Sequence, residues 1–302
     1  MTTRMLRLLA ALLALSLVTA SCGDDNSSTS ADTGAMTEGE HDDHDDHDDH
    51  DDHGDHDDHG DHDDHGDHTH DHGSVEAEGA TAPTVALEVT ADPAGGINVF
   101  VETANFAVVP EAASAGHVEG EGHFHLFIDG EKVLRFYNEA IYFGGVTEGD
   151  VEVMVELSAN DHSTYTRGGD PIVAMATFAV PPHAHDDHAH GEPESVVFEG
   201  AAPMLGITVE PDPKSGYNAF VTLDGMVLSA QNASGDHVPG EGHLHLSVNG
   251  QKIGRLYGLA THIPVLPDGA VEVRIAAFTN DHMVYVDGDG EPIDAITTVE
   301  VG

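Results

Sequence analysis

From residue 84 onward, the chain is a succession of short apolar runs with a period of two residues. In the runs at 86–90, 98–102 and 151–155, apolar side chains alternate with others, as in strands that bury one face. Glycine, proline and pairs such as Asp129-Gly130 and Asn249-Gly250 separate the runs, and these two pairs are typical hairpin turns. Helical periodicity is not sustained anywhere. The pattern predicts a mainly β protein made of antiparallel β-sandwich domains of immunoglobulin or cupredoxin type.

The β pattern occurs twice. Residues 84–180 match residues 204–301 at an offset of 120 through most of their length. The shared landmarks include Asp92-Pro93 with Asp212-Pro213, Lys132 with Lys252, Arg135 with Arg255, Tyr137 with Tyr257, and Tyr165 with Tyr285. We therefore predict a tandem duplication, with one β-sandwich repeat at 83–181, a linker at 182–199 and a second repeat at 200–302.

One strand of each repeat carries two histidines, in Gly122-His123-Phe124-His125-Leu126 and in Gly242-His243-Leu244-His245-Leu246. Because successive side chains of a strand point to opposite faces, Phe124 and Leu126 are expected in the core. His123 and His125 then lie together on the outer face.

Both repeats also keep two further histidines in register, while other positions such as Phe127 and Ser247 have diverged. The sequence thus predicts one four-histidine site per repeat, made of His117, His123, His125 and His162 in repeat 1, and of His237, His243, His245 and His282 in repeat 2. Four imidazoles suit tetrahedral Zn²⁺ or Cu²⁺ in a flattened geometry. The alternative is that the two histidines of each strand are solvated surface side chains.

Several other residues are not predicted to be main metal ligands. His262, which has Tyr142 opposite it in repeat 1, is expected to be a surface histidine or an accessory ligand of repeat 2. Lys132, Arg135 and Tyr137 are expected to be packing and strand-edge residues, and Tyr165 and Tyr285 weak candidates for orienting a ligand.

Composition narrows the chemistry. The chain has 56 acidic against 9 basic residues, so nucleic acid is a poor partner and cations are good ones. A single cysteine excludes an internal disulfide and sites made of several thiolates. The eight methionines form no Met-x-x-Met cluster, which argues against a dedicated Cu(I) site.

The N-terminus predicts export. Arg4 and Arg7 precede the apolar run 8–18, which is typical of a secretory signal peptide at 1–21. Small residues before Cys22 resemble the lipobox of bacterial lipoproteins, which implies a lipidated Cys22 and an extracytoplasmic protein anchored to the bacterial cell membrane. A cleaved signal without lipidation is the alternative.

Residues 22–82 are predicted to be a disordered spacer and metal-binding segment, because they contain almost nothing that could form a core. Residues 41–72 hold 12 His and 16 Asp and resemble the His/Asp-rich loops of zinc transporters and zinc-binding transport lipoproteins. Low-affinity metal ligands are predicted here and in the linker at His41, His44, His47, His50, His53, His56, His59, His62, His65, His68, His70, His72, His183, His185, His188 and His190.

The repeated motif has two resemblances. Gly-x-Gly-His-x-His-Leu followed by Asp-Gly or Asn-Gly, with a downstream Asn-Asp-His, resembles an uncharacterised class of bacterial periplasmic β-sandwich domains. The histidine strand alone is similar to the copper-ligand strand of copper/zinc superoxide dismutases. This chain lacks the residue between Gly122 and His123, the disulfide cysteines and a clear bridging-histidine loop.

Three functions follow from these observations. The first is a membrane-anchored protein that buffers, scavenges or delivers Zn²⁺ or Cu²⁺, with a metal transporter as a candidate partner. The second is a copper-dependent redox enzyme of superoxide dismutase-like type, and the third is a structural envelope protein. A hydrolase is not expected, because the sequence lacks nucleophile-elbow, phosphate-loop and paired-carboxylate motifs, and the non-enzymatic interpretation is favoured over the redox enzyme.

Overall fold

The structure is a computed structural model that describes residues 73–182 and 194–302. The predicted signal peptide, Cys22 and the histidines of 41–72 and 183–190 lie outside the described residues. Among the residues that the structure describes, no helix is long and apolar enough to cross a membrane.

Repeat 1 is made of eleven strands and two short 3-10 turns, at Gly79–Thr81 and Pro110–Ala112. Its strands are β1 (Ser74–Glu76), β2 (Thr84–Ala91), β3 (Ile97–Ala104), β4 (Ala107–Val108), β5 (Glu121–Ile128), β6 (Glu131–Phe136), β7 (Ala140–Phe143), β8 (Gly149–Ala159), β9 (Thr164–Arg167), β10 (Asp170–Pro171) and β11 (Val173–Val180). The larger sheet has the path β1-β9-β8-β5-β4, with β6, β10 and β11 attached, and the smaller sheet is β2-β3-β7.

Repeat 2 follows the same plan, with one 3-10 turn at Ala230–Asn232. Its strands are β12 (Ser195–Val197), β13 (Met204–Pro211), β14 (Tyr217–Asp224), β15 (Val227–Leu228), β16 (Glu241–Val248), β17 (Gln251–Leu256), β18 (Ala260–Ile263), β19 (Gly269–Phe278), β20 (Val284–Val286) and β21 (Asp294–Val301). The sheets are β12-β20-β19-β16-β15 with β17 and β21 attached, and β13-β14-β18.

In each repeat the two sheets pack face to face around one core. Repeat 1 buries Ile97 and Val99 of β3 against Phe124 of β5 and Val153 and Val155 of β8, all fully buried. The alternation in the sequence placed these residues inward because period-two strands bury one face. The predicted mainly β, sandwich class is confirmed.

Two features differ from the sequence prediction. The predicted boundary at 83 omits β1, which pairs in parallel with β9 from Ser74↔Thr164 to Glu76↔Thr166. The linker likewise contains β12, which pairs in parallel with β20. Strands of three residues carry too little alternation to be recognised, and their partners lie about 90 residues away in the chain.

The two hairpin turns were predicted correctly. Asp129-Gly130 joins β5 to β6 with φ angles of 51° and 82°, and Asn249-Gly250 joins β16 to β17 with 48° and 79°. Two positive φ angles define the turn that matches strand twist, and Asp, Asn and Gly tolerate them best. These hairpins bring β6 and β17 beside the histidine strands.

Gly122 of the repeated motif has a steric role. A Cβ atom at Gly122 would lie 1.9 Å from the carbonyl oxygen of Ser158 in β8, and one at Gly242 would lie 1.9 Å from that of Phe278. Gly122 is a buried strand residue at a close approach of two backbones. Only glycine fits at this position without moving β5 away from β8.

Gly122→Ala is expected to lower the free energy of unfolding by about 1–3 kcal/mol or more. This is the usual cost of forcing extra atoms into a packed site. Urea unfolding followed by circular dichroism measures the change. Gly116→Ala is the matched control, because a Cβ there meets nothing within 4 Å. Equal stability losses in the two variants would contradict the steric role.

Candidate metal centre

β5 places His123 and His125 on the face opposite Phe124 and Leu126, as predicted. That face is nevertheless not a free surface, since His123 is 1% exposed and His125 is 3% exposed. In repeat 2, His243 is fully buried and His245 is half-buried. His125 lies against Lys132, Glu156 and Ser158 of its own repeat.

The third histidine of each cluster comes from the turn after the long strand. His162 has φ 72° and His282 has φ 69°, so both are left-handed non-glycine residues. The backbone N–H of His162 donates to Ala159 O, and that of Ser163 donates to Asp161 Oδ1. A left-handed backbone costs a non-glycine residue roughly 1–2 kcal/mol. Retention of this conformation in both copies indicates that the ring position matters.

These turns complete two equivalent clusters. His123, His125 and His162 each offer a nitrogen, and the three atoms lie within 4.8 Å of one another. His243, His245 and His282 do the same in repeat 2. The Nε2–Nε2 distance is 3.1 Å between His123 and His125. We call the two clusters triad 1 and triad 2.

The triads fit a transition-metal ion in spacing and chemistry. Two nitrogens at about 2.0 Å from a tetrahedral Zn²⁺ lie about 3.3 Å apart, close to the observed pair distance. Among the described residues, the buried Nδ1 atoms of His123 and His243 have no hydrogen-bond partner. Leaving such an atom unpaired costs about 1–3 kcal/mol, so both repeats keep the same unfavourable feature.

Burial keeps the imidazoles neutral, which metal binding requires. Burial and the charges of Arg135 and Lys214 lower the pKa of His162 from 6.5 to about 3. Burial and Lys252 lower the pKa of His245 to about 2, and burial and Arg255 lower that of His282 to about 4. For His123 and His243 the pKa is likewise far below 6.5, mainly through burial.

Basic side chains from the neighbouring strand point at the triads. Lys132 Nζ of β6 lies 3.0 Å from His125 Nε2, and Lys252 Nζ of β17 lies 3.2 Å from His245 Nε2. Burial lowers the pKa of each lysine to about 8. A metal ion bound to the triads would take the place of these ammonium groups, which the long flexible lysine side chain would permit.

The lysine contact also fixes the protonation of His125. Lysine only donates hydrogen bonds, so His125 Nε2 is an acceptor and its proton is on Nδ1. His125 Nδ1 lies 3.3 Å from Glu156 Oε1 and 2.9 Å from Ser158 Oγ. This is the carboxylate–histidine arrangement that orients a metal ligand and raises its basicity.

Triad 2 lacks that support. The positions of Glu156 and Ser158 are held by Ala276 and Phe278 in repeat 2. The ring of His245 stacks on Phe278 with centroids 3.7 Å apart. The two sites therefore share ligands and differ in the groups that polarise them.

The two repeats dock by exchanging equivalent contacts. Arg135 Nη1 of repeat 1 donates to Asp212 Oδ2 of repeat 2 at 3.1 Å, and Arg255 Nη1 donates to Asp92 Oδ2 at 2.7 Å. All four side chains are almost wholly buried. Residue i of one repeat thus meets residue j of the other and the reverse, as in an isologous dimer interface.

Each of these aspartates also reaches a triad. Asp212 Oδ1 accepts from Ser114 Oγ at 2.7 Å, and Ser114 Oγ lies 2.7 Å from His162 Nε2. The equivalent hydrogen-bonded contacts occur at triad 2. Ser234 Oγ donates to Asp92 Oδ1 at 2.7 Å and lies 2.8 Å from His282 Nε2. Burial would raise the pKa of Asp212, but hydrogen bonds from Ser114, Lys214 and Asn218 hold it well below its usual range.

His117 and His237 lie elsewhere. His117 is exposed, and its ring centroid lies 5.8 Å from that of Tyr165. His237 lies 5.9 Å from Tyr285 in the same way. Tyr165 OH donates to the carbonyls of Val118 and Glu121, so it anchors this loop against the sandwich. The structure thus brings together three of the four histidines predicted for each repeat.

Sequence reasoning missed the charged partners. Arg135 and Lys132 were expected to be packing and strand-edge residues, yet Arg135 is 5% exposed and lies 3.1 Å from His162 Nε2. His262 lies between the repeats, with its Nδ1 2.7 Å from Arg135 Nη2. The available signal was the retention of Asp92, Ser114 and Arg135 at an offset of 120, which shows that they matter but not what they contact.

No known protein family matches the chain, and no curated protein matches it. Among solved structures, the chain is similar to the fibronectin(III)-like modules of Clostridium thermocellum CbhA, with 10% identity over 72% of this chain and 94% of that one, and a TM-score of 0.20. The central fibronectin-III array of RIM-binding protein gives 9% identity, 75% and 63% coverage, and a TM-score of 0.23.

A third similar structure is the Bacteroides ovatus protein SGBP-B of a mixed-linkage glucan utilization locus, in complex with a mixed-linkage heptasaccharide. It gives 12% identity, 72% coverage of this chain, 66% of that chain, and a TM-score of 0.21. The chain spans less than two thirds of the length of this protein and of the RIM-binding array.

Proposed function

We propose that this protein is an extracytoplasmic, membrane-anchored protein that binds transition-metal ions, Zn²⁺ foremost and Cu²⁺ next, for buffering, scavenging or delivery. The observation that carries the proposal is the buried three-histidine cluster, built twice at equivalent positions. Neutral imidazoles with convergent nitrogens are the ligand set that Zn²⁺ and Cu²⁺ prefer when thiolates are lacking.

The remaining parts of the proposal come from the sequence. The lipobox-like Cys22 supports the anchor, and the signal-like segment before it supports export. The His/Asp segment at 41–72 supports a collecting role, in which many weak ligands feed two built sites.

The test is a Zn²⁺ titration of the full chain in competition with a chromophoric chelator. Wild type is compared with a variant carrying His123→Ala, His125→Ala, His243→Ala and His245→Ala. The His/Asp segment at 41–72, here called the tail, contributes equally to wild type and variant. Two tight sites are therefore expected to be lost in the variant. Equal numbers of sites and equal affinities in both proteins would refute the proposal.

A second variant serves as the matched control. His117→Ala with His237→Ala removes two histidines that lie outside the triads, so the two tight sites are expected to remain. Circular dichroism of every variant checks that the sandwiches are folded. Loss of the tight sites in this control would instead show that His117 and His237 are ligands, as the four-histidine prediction requires.

Acid is expected to empty the tail before the triads. Tail histidines with the ordinary pKa of about 6.5 become protonated as the pH falls through that value and release their metal. The triad imidazoles, with pKa values of about 2 to 4 at His245, His162 and His282, stay neutral to lower pH. Equilibrium dialysis against Zn²⁺ from pH 7 to pH 4 should therefore show two release steps, and a single step near pH 6.5 would be the contrary result.

A further inference from the structure

One member of triad 1, His162, lines a cleft between the repeats that gathers an unusual share of the basic residues. A cavity of about 220 Å³ is lined by Lys132, Arg135 and Lys214 together with His162 and His262. The whole chain has only nine lysines and arginines and a net charge of −47. Three of the nine therefore meet at one cavity beside a histidine cluster, in a protein that otherwise repels anions.

Each of these cations already has an acidic neighbour. Arg135 pairs with Asp212, the charge of Glu156 acts on Lys132, and Lys214 Nζ donates to the backbone carbonyl of Asp161 and lies near its carboxylate. The side chains around the cavity therefore carry little net charge when triad 1 holds no metal ion. A divalent ion bound by three neutral imidazoles adds two positive charges that no side chain here compensates.

The fourth coordination position provides the place for compensation. Three protein ligands on Zn²⁺ leave one position open to an exogenous ligand. His117, the predicted fourth ligand, lies at Tyr165 and away from the triad. Lys132 Nζ lies 3.0 Å from His125 Nε2 and Arg135 Nη1 lies 3.1 Å from His162 Nε2, and both residues line the cavity. An oxyanion on a metal ion at triad 1 would therefore have cationic donors beside it.

We infer that triad 1 binds its metal ion together with a small oxyanion, such as sulfate or phosphate, which completes the coordination and is held in the cleft by Lys132, Arg135 and Lys214. This inference rests on the proposed metal-binding function. It names the bound species of repeat 1 as a metal–anion pair, in which the anion bridges the metal and the basic side chains of both repeats.

Repeat 2 supplies an internal control. The position of Lys214 is held by Ala94, in the same turn geometry, because the backbone N–H groups of both residues donate to the preceding aspartate. The position of His262 is held by Tyr142, whose ring centroid lies 4.0 Å from the guanidinium carbon of Arg255. Triad 2 thus lacks one cation of the cleft and has another covered by an aromatic ring.

The experiment uses the full chain loaded with Co²⁺, whose visible absorption is stronger in four-coordinate sites than in six-coordinate ones. Two variants isolate the sites, one with His243→Ala and His245→Ala, the other with His123→Ala and His125→Ala. Each is titrated with sodium sulfate against sodium perchlorate at matched ionic strength. Sulfate is expected to change the band of triad 1 at a concentration about tenfold lower than that of triad 2.

Two further variants test the cleft itself. Lys214→Ala is expected to leave the Co²⁺ band of triad 1 and weaken sulfate binding there about fivefold or more. Ala94→Lys combined with Tyr142→His is expected to give triad 2 a sulfate response like that of triad 1. Repeating the titrations with sodium phosphate and with glycerol 3-phosphate distinguishes a free ion from an esterified phosphate, and binding of either supports the anion site.

The possible outcomes distinguish failure of the anion site from failure of the proposed metal-binding function. A triad-dependent Co²⁺ band that sulfate and both phosphates leave unchanged would overturn the inference and keep the metal sites. Equal sulfate responses in both triads, unaffected by Lys214→Ala, would overturn the role of the cleft. If no band depends on the triads, the metal-binding proposal fails and the inference fails with it.

Discussion

Asp212→Ala is expected to lower the free energy of unfolding by about 3–5 kcal/mol, the usual loss when one partner of a buried ion pair is removed. The variant would leave Arg135 buried without its carboxylate at an interface where Asp212 is completely covered. It would also remove the acceptor of hydrogen bonds from Ser114 Oγ and Asn218 Nδ2. Urea unfolding, followed by circular dichroism, measures the loss.

Two comparisons make this result specific. Asp224→Ala removes an exposed aspartate of the neighbouring strand and is expected to change the free energy by less than about 0.5 kcal/mol. Arg135→Met together with Asp212→Leu is expected to lose less than the sum of the two single changes, because no unpaired charge remains. A loss for Asp212→Ala as small as that of the control would show that the repeats do not depend on this contact.

Glu156→Ala is expected to weaken Zn²⁺ binding at triad 1 by about 10–100-fold, the usual effect of removing the group that orients a ligating histidine. Glu156 Oε1 is 3.3 Å from His125 Nδ1, so the carboxylate holds the proton there and leaves Nε2 as the metal ligand. Chelator competition on the variant that retains only triad 1 measures the change.

Repeat 2 provides the reverse experiment. Because Ala276 stands at the position of Glu156, Ala276→Glu is expected to strengthen Zn²⁺ binding at triad 2, within the limit set by Phe278 beside His245. The unmodified protein should accordingly bind its first Zn²⁺ at triad 1. Unchanged affinity in Glu156→Ala would mean that Ser158 alone orients His125.

The interface explains why the protein has two copies. Arg135 contacts Ser114 and His162 of its own repeat, but its carboxylate partner, Asp212, comes from the second copy. The covering residues are the Asp-Pro turns, which reach the triads through Ser114 and Ser234. Each triad is therefore built from histidines of one repeat and is contacted, through a serine, by an aspartate of the other.

Most of the fold could be predicted from the sequence, because strand alternation and hairpin turns are local. Phe124 and Leu126 were placed in the core correctly, and the turn residues Asp129-Gly130 adopt the expected positive φ angles. Short edge strands such as β1 escaped prediction, since three residues have no readable period and the pairing partner is distant. His162 was predicted as a ligand only because the repeat keeps it.

The sequence by itself determined the mainly β class, the duplication and the histidines that share a strand face, because these depend on the chain's own periodicity. Only the tertiary structure decided that the histidine faces are buried, that Asp92 and Asp212 cover the opposite repeat, and that His117 lies apart. Those contacts join residues 77 to 163 positions apart across a docking interface. No local pattern specifies which two surfaces meet, since that depends on the complementarity of two finished sandwiches.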